Sequence, residues 1–269
     1  MSIINETIDL SVERYNRHES HDDVDFILSV IGEQPKRILE IGCGYGRILL
    51  ALADAGYEVA GMDVDDEDLE NLSTTALSLG INNARWRKAD AVHDDWGTGF
   101  DVVVLAGNIL FNIENIESAP AYKKAQEAFI QKAAAALVPG GCVYIGYSPF
   151  APNGRTLTRP GQSCTDDGSI FGTWEYLKGD GSVETHAITP GAFDEETGIL
   201  RFKRFTERKT PEGKVIKEET ERMKHYATLA HIHQWLADAG FVIELECENF
   251  DKLPIHDDSH EVIICARKK

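Results

Sequence analysis

Three glycines, Gly42, Gly44 and Gly46, follow the carboxylate residue Glu40 at every second position of a short segment. An apolar run that predicts a β-strand precedes this segment, and a pattern that predicts an α-helix follows it. Glycines at such a turn allow the backbone to bend sharply and to approach a bound ligand closely. We therefore interpret the segment as a ligand-binding loop at the carboxyl end of a strand.

The spacing of these glycines argues against a dinucleotide. In the dinucleotide-binding pattern the third glycine stands one position later than Gly46, and a pyrophosphate rests on the amino terminus of the helix. The carboxylate of Glu40 is poorly suited to lie beside a pyrophosphate, because like charges repel each other. A nucleotide-dependent oxidoreductase is therefore disfavoured.

Two further carboxylates follow the next predicted strands, Asp63 after the second and Asp90 after the third. Ligands of open α/β sheets bind beyond the carboxyl ends of the strands, and an acid after the second strand can receive two ribose hydroxyls. Asp63 could instead be a helix-start acid, although 65–68 already offer four acids for that role. Asp90 could instead be a turn residue.

The elements that must position these residues alternate between strand and helix from Lys36 onward, which is typical of a doubly wound α/β sheet that is mostly parallel. The pattern predicts seven sheet strands with an antiparallel β insertion between strands five and six, where Thr210–Gly213 forms a turn. The predicted strands are 37–41, 57–62, 84–88, 100–105, 142–147, 241–246 and 261–266, and the predicted helices are 47–55, 65–80, 121–137 and 228–239, after an N-terminal helix around 24–31.

The residues from Leu39 to Gly46 resemble motif I of the class I S-adenosylmethionine-dependent methyltransferases, of the type that acts on small molecules. The resemblance extends over about residues 36–148 and 226–267, and it implies a Rossmann-like methyltransferase fold with S-adenosylmethionine as the cofactor. It also implies that Asp63 binds the ribose, that Asp90 binds the adenine amine and that Asn108 faces the methionine part. The cofactor-binding residues that it implies are Glu40, Gly42, Cys43, Gly44, Gly46, Asp63, Val64, Asp90, Ala91 and Asn108.

We expect a single methyltransferase domain over residues 1–269. Residues 1–35 would form an N-terminal lid and helix, and 36–148 the cofactor-binding core. The antiparallel insertion 149–225 would cover the acceptor, because a chain leaving strand five at the carboxyl edge must pass over the cofactor cleft. Residues 226–269 would complete the core.

The sulfonium methyl group of this cofactor is already activated, so the protein must mainly align a nucleophile and exclude water. A general base is needed only for an acceptor that arrives protonated. Candidate catalytic residues near the carboxyl edge are Tyr15, Asn108, Tyr147 and His225, each of which could instead be a core or solvated residue. The His and Asp residues of 256–260 predict a solvated turn rather than a metal site.

Composition narrows the function classes. The 45 acidic and 27 basic residues give a formal charge of -18, which disfavours nucleic acid as a partner. Five scattered cysteines without CxxC spacing argue against a disulfide framework, and no apolar stretch is long enough for a membrane span or a signal core. We therefore expect a cytoplasmic protein without a membrane partner.

The leading hypothesis is methyl transfer to N or O of a small-molecule metabolite. The alternatives are a methyltransferase that acts on protein or RNA, and a non-catalytic S-adenosylmethionine-binding protein, because fold does not fix function. The oligomeric state stays open in the sequence, with a homodimer among the possibilities.

Overall fold

The computed structural model describes residues 22–33, 36–113, 118–147, 172–178, 180–189, 192–194, 196–256, 259 and 261–269. Tyr15, most of the predicted N-terminal lid and the first part of the predicted insertion lie outside the described residues. No helix among the described residues is long and apolar enough to cross a membrane.

The larger sheet has seven strands in the order β11-β12-β5-β4-β1-β2-β3. The pairs within β1 to β5 are parallel, and β12 runs antiparallel to both β5 and β11. The prediction of a mostly parallel seven-stranded sheet is confirmed. Its strands are β1 (Arg37–Ile41), β2 (Glu58–Asp63), β3 (Ala84–Lys88), β4 (Phe100–Leu105), β5 (Leu137–Tyr147), β11 (Phe241–Cys247) and β12 (Val262–Lys268).

Helices cover both faces of this sheet, so strand residues alternate between two cores. Val102 and Val104 of β4 belong to one buried cluster, and Val103 and Leu105 belong to the other. All four are fully buried, as the almost continuous apolar run of β4 predicts for a central strand. The first cluster includes α1 (Asp22–Ile31), α2 (Arg47–Asp54) and α3 (Asp66–Leu79), and the second includes α4 (Ala119–Ala136) and α5 (Leu229–Asp238).

The insertion between β5 and α5 forms a second, antiparallel sheet in the order β10-β9-β7-β6, with β8 paired to β9. The sequence predicts antiparallel structure here, and the β9–β10 hairpin turns at Thr210–Gly213 as expected. The structure adds β7 and β8, which carry too few apolar residues in alternation to stand out in the sequence. The strands are β6 (Gly172–Leu177), β7 (Val183–Ile188), β8 (Ala192–Asp194), β9 (Ile199–Lys209) and β10 (Val215–His225).

One boundary differs from the sequence prediction. The residues Pro139, Gly140 and Gly141 predict a break before a strand that begins at Cys142, but β5 already begins at Leu137. The strand continues through the break because the pairing of β4 with β5 shifts register at this point. The irregular register accommodates Pro139, Gly140 and Gly141 without ending the strand.

Candidate functional site

The glycine loop 42–46 connects β1 to α2 and takes a conformation that only glycine accepts easily. Gly42 and Gly46 have φ angles of +73° and +90°. A Cβ on Gly42 would lie 2.5 Å from Ile109 Cδ1, and one on Gly46 would lie 2.2 Å from Leu72 Cδ1. The loop is therefore fixed both by backbone conformation and by close packing.

Backbone hydrogen bonds attach this loop to the end of β2. The amides of Gly42 and Cys43 both donate to the carbonyl of Met62, at 2.8 and 3.1 Å. The amide of Gly44 donates to Asp63 Oδ2 at 2.8 Å. The predicted ribose-binding carboxylate thus lies directly against the predicted ligand-binding loop.

The sequence leaves open whether Asp63 binds a ligand or caps a helix, and the structure gives the capping role to Asp65. Asp65 is the N-cap of α3, and its Oδ1 accepts from the amide of Asp68 at 3.0 Å. Asp63 accepts from the amides of Gly44 and Asp65 and does not cap the helix. Each carboxylate oxygen of Asp63 keeps further acceptor capacity, because a carboxylate offers about four lone-pair sites.

Glu40 is a buried carboxyl, only 3% exposed, at the carboxyl end of β1. Burial raises its pKa well above the usual value, against the lowering effect of Arg47. Arg47 is itself paired with Asp23 of α1. Glu40 Oε2 has no hydrogen-bond partner, so an ammonium group placed beside it would satisfy a buried acceptor.

Val64 and Asp90 extend the site from the ends of β2 and β3. Val64 is 60% exposed and offers apolar surface that a flat apolar ligand would cover. Asp90 Oδ1 accepts from the amide of Val92 at 2.8 Å, which is the bond of a turn residue. The amide of Ala89 donates to the carbonyl of Asp63, so the two loops lie side by side.

Lys132 of α4 holds the loop of Asp90 in place, and sequence reasoning missed it. Its Nζ donates to the carbonyls of Ala91, Val92 and Asp94 at 2.9, 2.6 and 2.8 Å. The indole nitrogen of Trp96 also donates to the carbonyl of Ala91. A lysine in an amphipathic helix is ordinarily a solvated residue, so no sequence signal marks this contact.

Asn108 follows β4 and begins a short 3-10 helix, Ile109–Phe111, with a φ of +61°. Its amide donates to the carbonyl of Gly146 in β5 at 3.4 Å. The next residue, Ile109, packs against Gly42 of the glycine loop. The segments after β1 and β4 and the end of β5 therefore meet at Asn108.

Tyr147 ends β5 and is 1% exposed. Its ring lies edge-on to Phe111 at 5.6 Å between centroids, and Phe111 lies 5.0 Å from Tyr226. The hydroxyl of Tyr147 is buried without a hydrogen-bond partner, and burial raises the pKa of this phenol. Tyr147 is therefore protonated at neutral pH and can donate a hydrogen bond but does not provide a base.

His225 ends β10 and is 3% exposed. Its Nδ1 lies 2.7 Å from Oε1 of the fully buried Gln126, whose Nε2 donates to the carbonyls of Leu110 and His225. Burial is the main cause that lowers the pKa of His225 to about 4, so the ring is neutral at pH 7. The structure thus places His225 in a buried link between the insertion, α4 and the 3-10 helix.

Two contacts place the insertion sheet relative to the carboxyl edge. Lys178, which follows β6, forms an ion pair of 2.8 Å with Glu67 of α3. Lys224 of β10 donates to Asn112 Oδ1 at 2.6 Å, four residues after Asn108. One contact lies beside the end of β2 and the other beside the end of β4, so the sheet reaches both sides of the glycine loop.

The described residues contain no group of three or more His, Cys, Asp or Glu side chains that could hold a metal ion. Of the residues 256–260, the structure describes His256 and Ser259. His256 forms an ion pair of 2.9 Å with Glu248, and its amide donates to Ser259 Oγ.

Comparison with known proteins gives a family match to a methyltransferase domain over residues 38–141. The ubiquinone biosynthesis O-methyltransferase of Chelativorans sp. (strain BNC1) is 32% identical over 110 residues, which are 40% of this chain and 39% of that protein. A 23S rRNA (uracil(1939)-C(5))-methyltransferase of Alkalilimnicola ehrlichii is 35% identical over 88 residues, which are 30% of this chain and 20% of that protein. The chain thus spans about two fifths of the first relative and one fifth of the second.

Solved structures share the fold over nearly the whole chain. An S-adenosylmethionine-dependent methyltransferase of Clostridium acetobutylicum gives a TM-score of 0.67 at 12% identity and 94% coverage of both chains. The sugar N-methyltransferase KedS8 of Streptoalloteichus sp. gives 0.63 at 16% identity, with 96% of this chain and 92% of that one covered. Residues 38–141 therefore match a methyltransferase domain, and the chain as a whole has the fold of S-adenosylmethionine-dependent methyltransferases.

Proposed function

We propose that this chain transfers the methyl group of S-adenosylmethionine to N or O of a small-molecule metabolite. The observation that carries the cofactor part is the buried Glu40 Oε2, which lacks a partner beside a loop held by Asp63. S-adenosylmethionine presents an ammonium group for Glu40, ribose hydroxyls for Asp63 and an adenine ring for the exposed Val64. The residues present therefore fit this cofactor.

When bound, the cofactor supplies an activated methyl group, so the chain's own residues need only bind, orient and shield the reactants. Asn108 stands where the ends of β4 and β5 meet the glycine loop, and we assign it the orientation of the acceptor beside the methionine part. Tyr147 supplies a neutral hydroxyl donor and part of an aromatic wall. His225, buried and bound to Gln126, positions the insertion instead of touching the acceptor.

A small acceptor is favoured by the second sheet, which reaches across the carboxyl edge through Lys178 and Lys224. Acceptor specificity often resides in such connections on a rigid sheet. Relatives point the same way, since one is named for ubiquinone biosynthesis and a structural neighbour for sugar N-methylation. Another relative acts on rRNA, but the charge of -18 opposes a polyanionic partner.

The direct test is formation of S-adenosylhomocysteine in the presence of a metabolite panel of small amines and phenols, with RNA and protein extracts as separate arms. We expect turnover with a small molecule alone. Turnover confined to RNA or protein would overturn the small-molecule part of the proposal. Cofactor binding without turnover in any arm would favour a non-catalytic binding protein.

Two substitutions test the assigned residues without disturbing the fold. Asn108→Gly removes the amide side chain at a φ of +61°, where glycine is at least as comfortable as asparagine, so folding stability should hold while turnover falls. Tyr147→Phe removes a hydroxyl that has no partner, so stability should hold or rise while turnover falls. Tyr144→Phe, on the opposite face of β5, is the matched control that leaves turnover unchanged.

If Tyr147→Phe changes neither turnover nor cofactor affinity, Tyr147 is a packing residue. If Asn108→Gly leaves turnover unchanged, the orientation role assigned to Asn108 is wrong. Thermal unfolding of each variant separates these outcomes from loss of the folded protein.

A further inference from the structure

The two faces of the insertion sheet differ in burial. On one face Arg201 and Lys203 of β9 are exposed, and Lys203 pairs with Glu219 of β10. The other face, which we call the inner face, is partly buried along β9 and along the second half of β10. It is formed by Phe202, Arg204, Thr206 and Arg208 of β9, Glu218, Thr220 and Arg222 of β10, and Glu184 and His186 of β7.

The inner face is directed toward the carboxyl edge of the larger sheet. Successive side chains of a strand point to opposite faces, so Lys224 shares the face of Arg222, and Lys178, opposite Ser182, shares the face of His186. These lysines make the two contacts with Glu67 and Asn112 beside the cofactor site. The inner face therefore looks onto the space above the glycine loop.

Arg204 lies in the middle of the inner face and carries a charge that the described residues do not balance. Its Nε is buried and has no hydrogen-bond partner, and its nearest neighbours across the strands are Thr220 and Ile188. Three other cations of this sheet form ion pairs, Arg208 with Asp180, Lys203 with Glu219 and Lys217 with Glu207. The diagonal neighbours of Arg204 on the same face of β10 are Arg222 and Glu218.

An arginine in this position lowers the free energy of unfolding, because a partly desolvated guanidinium loses hydration and has no ion pair to compensate for it. The planar guanidinium group matches carboxylate and phosphate oxygens through paired N–H donors. A bound anion would satisfy the N–H donors of Arg204.

We propose that the inner face binds an anionic group of the acceptor, so that this enzyme methylates a small molecule that carries a carboxylate or a phosphate. The inference rests on the proposed function and names the acceptor's class. It assigns Arg204 to recognition of the anionic group, at a distance from the transferred methyl. The cofactor is held elsewhere, by the loops after β1, β2 and β3.

The test is titration calorimetry of the protein saturated with S-adenosylhomocysteine, with inorganic phosphate in one arm and acetate in the other. We expect Arg204→Gln to raise the Kd of the preferred anion by roughly ten-fold or more. Arg201→Gln, a substitution of the same type three residues away on the exposed face, should change it by less than about two-fold. The stronger anion in the unmodified protein distinguishes a phosphate from a carboxylate acceptor.

Arg204→Lys is the second variant, because it keeps the charge if the glutamine variant fails to fold. Lysine lacks the planar fork, so its affinity should lie between those of the original protein and Arg204→Gln. Equal binding of both anions to the original protein and both Arg204 variants, or no anion binding at all, would overturn this inference. S-adenosylhomocysteine binding, measured in the same instrument, fails only if the proposed function is wrong.

Discussion

Asp63→Ala tests the cofactor site most directly, because the side chain of Asp63 joins the glycine loop to the end of β2. Its carboxylate accepts from the amides of Gly44 and Asp65 at 2.8 and 3.0 Å. Both bonds orient the carboxylate toward the loop and leave lone pairs for two ribose hydroxyls. The substitution removes these bonds and the charge together.

The expected loss of cofactor affinity follows from the bonds removed. A hydrogen bond to a charged group contributes about 1.5–3 kcal/mol, so one or two such bonds give a loss of roughly 2–4 kcal/mol. This corresponds to an increase in Kd of roughly 30- to 1,000-fold. Folding should survive, since the loop keeps its backbone bonds to Met62.

Calorimetry with S-adenosylmethionine measures the Kd, and thermal unfolding measures stability. Asp65→Ala is the matched control, because it removes the N-cap of α3 two residues away. The control should lose about 1 kcal/mol of stability and keep its cofactor affinity. An unchanged Kd in Asp63→Ala, or an equal loss in both variants, would refute the assignment of Asp63 to the ribose.

Three further outcomes are expected. Calorimetry should detect S-adenosylmethionine at micromolar Kd but not NAD, because Glu40 disfavours a pyrophosphate; binding of NAD alone would contradict the cofactor site. Lys132→Met should weaken cofactor binding roughly ten-fold by releasing three carbonyls of the Asp90 loop, whereas the exposed Lys124→Met should not. Denaturant unfolding should show that stability falls by about 2–3 kcal/mol as the pH drops from 6.5 toward 4, because His225 binds a proton in the unfolded chain but stays neutral when buried in the folded protein. His225→Gln should lack this part of the pH dependence. An equal pH dependence of stability in both proteins would refute the prediction.

The larger sheet could be predicted from the sequence because its signals are local. The strands β1, β3 and β4 begin and end where the apolar runs predict. Glycine at the end of a helix, as at Gly80 after α3, marks a boundary through its left-handed conformation. Periodicity and turn residues therefore sufficed for the α/β order.

The insertion was only partly predictable, because its strands are polar on one face and partly buried on the other. In β7, the run from Val183 to Ile188 contains Glu, Thr and His between its apolar ends. No alternation of apolar and polar residues distinguishes such a strand from a loop. Its place became visible only through pairing with β6 and β9.

The residues of the candidate site, too, were only partly predictable from the sequence. Asp63 could be found because it ends a predicted strand next to a glycine loop, a relation that lies within 25 residues of sequence. Lys132 and Gln126 contact the site from α4, and no spacing rule connects a helix residue to a loop 40 residues earlier. Contacts that form only when distant parts of the chain fold together can be identified only from the three-dimensional structure.

Buried polar atoms without hydrogen-bond partners occur both in the proposed cofactor site and in the proposed site of the methyl acceptor. Glu40 Oε2, the Tyr147 hydroxyl and Arg204 Nε are all buried without a hydrogen bond, a state that native proteins rarely tolerate. They belong to the end of β1, the end of β5 and the inner face of the insertion sheet. Each costs about 1–3 kcal/mol when unsatisfied, so a protein that keeps all three gives up stability that bound ligands can restore. In the proposed function, the Glu40 oxygen would accept a hydrogen bond from the cofactor's ammonium group, whereas the Tyr147 O–H and the Arg204 N–H would donate to the molecule that is methylated.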